Sequence, residues 1–241
     1  MTPVIVYQMG KVGSSTLKNS LEENDIPALH IHRYFFKNTE RPNTLKLLPH
    51  KLKNRVVFNR FLKGDKVKII TFYRDPLSRN ISSFFQNLDV YFKTSEFENL
   101  DYKILEERFN KAINLHDTPN NWFDLEFKKK LNIDVFKYPF NKQKGYTLIS
   151  KGNIEVFLCV TNKINHLETE LGDFLELDDF KLNNSNIGDK KWYKDLYIEF
   201  KERYKPTTKM LDTLYGSNTI NHFYNDDEIN RMKSRWLQSN K

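Results

Sequence analysis

The sequence predicts an α/β fold: three layers, with a mostly parallel sheet carrying helices on both faces. Two observations lead there. Short β-rich apolar runs recur along the chain, and the segments between them carry apolar residues at helical spacing. Each run also stops at turn-forming or charged residues, as strands feeding loops and then helices must.

The first run, Val4-Ile5-Val6-Tyr7-Gln8-Met9, ends at Gly10 and reads as a strand. Gly10-Lys11-Val12-Gly13-Ser14-Ser15-Thr16 follows as a loop, and Leu17 and Leu21 then mark a helix. Asn24, Asp25 and Pro27 stop that helix, and Ala28-Leu29-His30-Ile31-His32 reads as a short second strand. A basic stretch over 37–66 leads to Val67-Lys68-Ile69-Ile70-Thr71-Phe72-Tyr73, a well-buried third strand. Arg74-Asp75-Pro76 breaks it, and 77–88 has the spacing of another helix. Helices fill much of 101–131. A fourth strand is predicted over 154–161, then a helix over 166–175, and the tail from Trp192 onward alternates aromatic and charged residues in helical fashion.

The 241 residues suffice for one good-sized core, and a single domain over 1–241 is expected. Apolar residues make up 39 %, with 19 Phe and 12 Tyr, which excludes a disordered chain. The 8 Gly and 8 Pro are dispersed, so no flexible linker is signalled. The single cysteine, Cys159, excludes an internal disulfide and a multi-thiolate zinc site; its apolar run Val156-Phe157-Leu158-Cys159-Val160 marks it as a small buried hydrophobe. The N-terminus lacks the basic start and apolar length of a signal peptide, and no run reaches the ~18 apolar residues of a membrane span. A cytoplasmic location is expected. The net charge of +8 and pI near 9.3 point to an anionic partner, which nucleic acid, an acidic membrane surface, a nucleotide or an anionic glycan would each satisfy. Runs such as Lys128-Lys129-Lys130 read as solvated helix faces.

Two segments carry chemistry. A loop between a strand and a helix N-terminus can bind anions through unpaired backbone N–H groups and the helix dipole. Gly10 and Gly13 permit close backbone approach, Ser14, Ser15 and Thr16 add hydroxyls, and Lys11 adds a cation. This is not a Walker A loop, in which the Lys follows the second Gly directly. In the second segment Arg74 closes the third strand and Ser82 follows eight positions later, about two helical turns on. A guanidinium and a hydroxyl so placed can grip one phosphate. Arg79, between them, supports the loop.

Together these segments resemble the sulfotransferases that use 3′-phosphoadenosine 5′-phosphosulfate (PAPS). Gly10–Thr16 is similar to their 5′-phosphosulfate loop, and Arg74-Asp75-Pro76-Leu77-Ser78-Arg79-Asn80-Ile81-Ser82 to their 3′-phosphate motif. Ile133–Phe136, Pro139-Phe140, the 154–161 strand and Phe174-Leu175 resemble the later part of carbohydrate sulfotransferases. Asp189-Lys190-Lys191-Trp192-Tyr193 resembles a signature of bacterial capsular polysaccharide synthesis proteins. Thr161-Asn162 stand where that pattern has an acidic residue, which leaves the contacts at that strand end open.

The resemblance implies a P-loop-like sulfotransferase fold and transfer of a sulfuryl group from PAPS to a carbohydrate hydroxyl, with adenosine 3′,5′-bisphosphate as product and no metal. Lys11 would be catalytic, stabilising the bridging oxygen. Lys11, Val12, Gly13, Ser14, Ser15 and Thr16 would hold the 5′ end of the donor, Arg74 and Ser82 its 3′-phosphate, and Lys190 and Lys191 would close over that phosphate. Trp192 and Tyr193 would flank the base or the sugar, or serve the core. For the general base, His32 is favoured, His30 is second, and an acidic residue within 96–107 is a further choice; a purely structural role for the histidines stays open beside these. The acceptor that the resemblance implies is a surface or capsular polysaccharide, and the basic charge leaves both a neutral and an anionic one open; no nucleic acid is expected, and peripheral membrane contact is open. Two other readings exist: a kinase-like phosphotransferase with Asp75 at magnesium, and a non-enzymatic basic module for glycan or nucleic acid.

Overall fold

The computed structural model describes residues 4–35, 48–183 and 191–237. In chain order the elements that position the site are β1 (Val4–Tyr7), α1 (Ser14–Glu23), β2 (Ala28–Ile31), α2 (Leu48–Phe61), β3 (Val67–Tyr73), α3 (Pro76–Gln86), β4 (Tyr146–Lys151) and β5 (Ile154–Val160). The five strands form one sheet in the order β2-β1-β3-β5-β4. All neighbours run parallel except β4, which pairs antiparallel with β5. Successive side chains on a strand point to opposite faces, and every residue of β1 and of β3 is buried, so both faces of the sheet centre are covered. The α/β class expected from the alternating runs is therefore the class found.

The chain divides into two compact units: Met1–Arg74 with Trp122–Ser185, and Asp75–Asn121 with Asn186–Lys241. The first holds the whole sheet. The second is helical. Its α3 starts on a strong local signal, with the Asp75 side chain accepting from Ser78 N at 2.7 Å and Pro76 at the first helical position. Its core is aromatic: Phe84, Phe85, Phe109, Phe200 and Tyr204 meet mostly edge to face, with Phe200 and Tyr204 stacked at 4.9 Å.

Three expectations need correction. Tyr146–Lys151 is a fifth strand, not anticipated because only Ile149 of its six residues is buried and the alternation is faint. The signal was the turn: Gly152-Asn153 joins the paired ends Lys151 and Ile154, and Gly152 has φ 60°. The basic stretch contains α2, whose apolar residues share no face, with Phe58 buried and Val56 exposed. Finally, β2 ends at Ile31, one residue before His32. The expected helices over 101–131 are present, as Tyr102–Asn110, Ile113–Trp122, a π-helical stretch Phe123–Lys128 and the turn Lys129–Leu131. Cys159 is fully buried, and burial pushes its thiol well up, so it remains protonated and inert.

Candidate functional site

The loop after β1 lies at the carboxyl end of the parallel strands, where ligands of such sheets bind. It turns through two left-handed residues, Lys11 at φ 71° and Gly13 at φ 98°. Gly13 is required twice over: its φ is strained for any side chain, and an added Cβ would sit 3.2 Å from Thr161 Cγ2. Gly13 caps α1 and, having no side chain, closes none of the first-turn N–H groups itself. Around Gly10 an added Cβ would meet nothing within 4 Å, which leaves room for a ligand to approach.

Two neighbouring strand ends fix the loop. Arg74, just past β3, donates from Nη1 to the Lys11 carbonyl at 3.1 Å. Thr161, just past β5, places Oγ1 2.8 Å from the Val12 carbonyl and 3.2 Å from that of Tyr73. The residue that departs from the expected acid is thus a clamp that hydrogen-bonds the loop backbone. Val12 is fully buried and can offer a ligand only its backbone. Beside the loop a cavity of about 170 Å³ is lined by Gly13, Thr16, Leu17, Phe72, Thr161, Ile164, Asn165 and Leu182.

The two histidines differ sharply. His30 pairs across from Val6, its buried Nε2 has no hydrogen-bond partner among the described residues, and burial chiefly, then the nearby His32 and Lys18 charges, lower its pKa to about 4. So weak a base is poorly matched to proton abstraction near neutral pH. His32 is exposed, with Nδ1 3.1 Å from the Gln8 carbonyl. A proton on Nδ1, the tautomer this contact favours, makes Nε2 the basic nitrogen. The depressed pKa of His30 gives a prediction. Unfolded, the ring takes a proton near pH 6.5; folded, only near pH 4. Stability is therefore full above about pH 6.5 and falls between there and pH 4, by about 2 kcal/mol given the ring's partial exposure. Urea unfolding at pH 7.5 and pH 4.5 will show a smaller loss in His30→Leu than in the parent chain.

Sequence reasoning missed the brace that holds the segment after β2. Glu126, 6 % exposed on the π-helical stretch, accepts at Oε2 from Tyr34 N (2.6 Å), Phe35 N (3.2 Å) and Tyr7 OH (2.8 Å). Trp122 Nε1 donates to the His32 carbonyl at 2.9 Å. Desolvation raises the Glu126 pKa, against the lowering effect of these hydrogen bonds, and burial drives the Tyr7 phenol far up so that it stays a donor. Only its helical spacing from the apolar Trp122 and Phe123 set Glu126 apart from the neighbouring Asp124.

In the second unit, Ser82 Oγ on α3 lies 3.0 Å from Tyr197 OH, one helical turn beyond Tyr193. Trp192 is 57 % exposed and stacks on Phe97 at 4.7 Å, while Tyr193 and Tyr197 pack on Phe85. Lys191 is exposed, and its carbonyl accepts from Lys194 N; Lys190 lies outside the described residues. Arg79 is buried and donates to Asn80 Oδ1. Asp75 is occupied, accepting from Ser78 N, Tyr215 OH (3.1 Å) and Arg235 Nη2 (3.3 Å). The acids proposed over 96–107 are mostly committed too: Glu96 to Lys93 N, Asp101 to Ile104 N, Glu106 to Tyr102 OH and Glu107 to Lys111. Among the described residues, no group of three or more His, Cys, Asp or Glu could hold a metal, and no helix is long and apolar enough to cross a membrane.

Fold and loop define an α/β protein in which a glycine-capped helix start opens at the carboxyl edge of a mostly parallel sheet. Residues 97–225 match the NKWYS family, described as "Putative capsular polysaccharide synthesis protein", and the chain belongs to that family. The match covers Glu126, Thr161 and Trp192-Tyr193 but neither Gly10–Thr16 nor Arg74–Ser82. Membership connects the chain to glycan biosynthesis. No curated protein and no solved structure matched it.

Proposed function

We propose that the protein is a PAPS-dependent sulfotransferase acting on a hydroxyl of a capsular or other surface polysaccharide. The observation that carries this reading is the loop: a glycine-capped helix start whose preceding carbonyls are clamped by Arg74 and Thr161, with Lys11 on its rim. Such a cradle suits the 5′-phosphosulfate, because the first-turn N–H groups of α1 donate to its oxygens. The open space at Gly10 and the absence of a side-chain cap at Gly13 fit a bound anion. Arg74, already oriented through the Lys11 carbonyl, would hold the 3′-phosphate.

In this mechanism the acceptor oxygen attacks sulfur in line while the bond from sulfur to the bridging oxygen breaks. Charge grows on that oxygen, and the Lys11 ammonium stabilises it in the transition state more than in the ground state. His32 Nε2 accepts the proton released by the acceptor hydroxyl; the Gln8 carbonyl holds the opposite nitrogen. His30, with its pKa near 4, is set aside as base. The commitment of Asp75 to Ser78, Tyr215 and Arg235 speaks against its use at magnesium in a kinase-like reaction.

The donor site is tested by calorimetric titration with adenosine 3′,5′-bisphosphate, alongside ATP with magnesium. The bisphosphate is expected to bind in the micromolar range, and Arg74→Ala to weaken it about 10- to 100-fold through loss of a charge-assisted contact. Binding of magnesium-ATP with none of the bisphosphate would replace this proposal with a kinase-like one.

A further inference from the structure

Just past His32, the first unit gathers positive charge around aromatic rings. Tyr34 and Phe35 lie with ring centroids 5.1 Å apart. Lys130 Nζ sits 4.0 Å from the Tyr34 centroid and donates to Asn59 Oδ1 at 2.6 Å. Lys129 Nζ sits 4.4 Å from the Phe35 centroid. The Arg55 guanidinium lies 5.0 Å from the Tyr34 ring and donates from Nε to the Tyr34 carbonyl at 2.6 Å. Among the described residues, no carboxylate forms an ion pair with Lys129 or Lys130. Glu126 is buried and spends its acceptor on the backbone of Tyr34 and Phe35. Burial would raise the Tyr34 phenol, yet hydrogen bonding with Asn59 and Lys130 and the charges of Lys130 and Arg55 outweigh it and lower its pKa, the response to a positive local potential.

We infer that Arg55, Lys129 and Lys130, arrayed on Tyr34 and Phe35, form a subsite for the carboxylate or sulfate of an acidic saccharide next to the reacting sugar. This rests on the glycan-acceptor reading above. Three features argue for it. Three cations on adjacent rings match a repeating anionic chain, and ring contact holds them in place, so less side-chain entropy is lost when an anion arrives. Tyr34 follows His32 by two residues, at most ~7 Å of chain, which sets the subsite within one or two sugars of the base. Lys129 and Lys130 also lie within the stretch that matches the capsular polysaccharide family. Nucleic acid is the weaker fit. Single strands bind through open aromatic faces, and here ammonium and guanidinium groups cover the rings.

The test titrates the full chain with a glucuronate-containing octasaccharide, a sulfated octasaccharide, the carboxyl-reduced neutral octasaccharide and a single-stranded oligonucleotide of equal charge. At least one acidic octasaccharide is expected to bind, at least 10-fold tighter than the neutral one. Lys129→Ala/Lys130→Ala is expected to weaken it at least 10-fold, with adenosine 3′,5′-bisphosphate affinity unchanged within 2-fold. Lys129→Ala alone, at an exposed position that leaves Lys130 on Asn59, is expected to weaken binding about 3-fold and guards against misfolding. Equal binding of the neutral chain, no binding of either acidic chain, full affinity in the double variant, or tighter binding of the oligonucleotide would each overturn the inference. Loss of bisphosphate binding in the parent chain would instead overturn the donor assignment, and the saccharide titration would still be read by itself.

Discussion

Lys11→Ala is expected to lower turnover at saturating donor by at least about 100-fold while changing adenosine 3′,5′-bisphosphate affinity only a few-fold. The asymmetry follows from where the charge acts. An ammonium facing a bridging oxygen gains most as that oxygen becomes an anion, and removing one such stabilising donor typically costs about 10²- to 10³-fold in rate. The fold should hardly notice. Lys11 already sits at φ 71°, a conformation as strained for Lys as for Ala, and the loop's clamps from Arg74 and Thr161 reach backbone carbonyls that the substitution leaves in place. Lys11→Gly separates the two effects: the glycine relieves the left-handed strain and raises stability by roughly 0.5 kcal/mol, yet is as inactive as the alanine variant. Transfer of labelled sulfate and urea unfolding measure both sides. A raised donor KM with kcat intact would assign Lys11 to ground-state binding.

Glu126→Ala should cost the most stability of any single change considered, about 3–5 kcal/mol. It strands Tyr34 N, Phe35 N and the Tyr7 phenol on one vanished acceptor, in a region too buried for water to replace it easily. Glu126→Gln keeps one oxygen in the same place but brings an amide that needs acceptors of its own, and is expected to cost about 1–2 kcal/mol. The difference between the two in urea unfolding measures how much the acceptor matters beyond its charge. A loss under about 1 kcal/mol in the alanine variant would mean the segment after β2 is held mainly by Trp122 at the His32 carbonyl.

Local sequence determined a good deal by itself. The runs at Val4–Tyr7, Val67–Tyr73 and Ile154–Val160 became the sheet centre because strands buried on both faces need apolar residues at nearly every position. Gly13 was legible as a loop residue because a positive φ leaves little choice of side chain. Asp75-Pro76 was legible as the break after β3, since capping and a fixed φ are properties of adjacent residues.

What tertiary structure alone decided were relations between residues far apart in the chain. His30 and His32 look alike as an i, i+2 pair, yet one ring loses its basicity in the buried sheet and the other emerges one residue past the strand end. Thr161, a departure when compared with a motif, proved to be the loop's clamp, 149 residues from its Val12 partner. Glu126 and the Lys129-Lys130 pair carried only the marks of a helix, because their partners at Tyr7, Tyr34 and Phe35 lie about 90 residues or more upstream. Dihedral preference and burial period are written in neighbouring residues; desolvation and long-range hydrogen bonds exist only once the chain has folded.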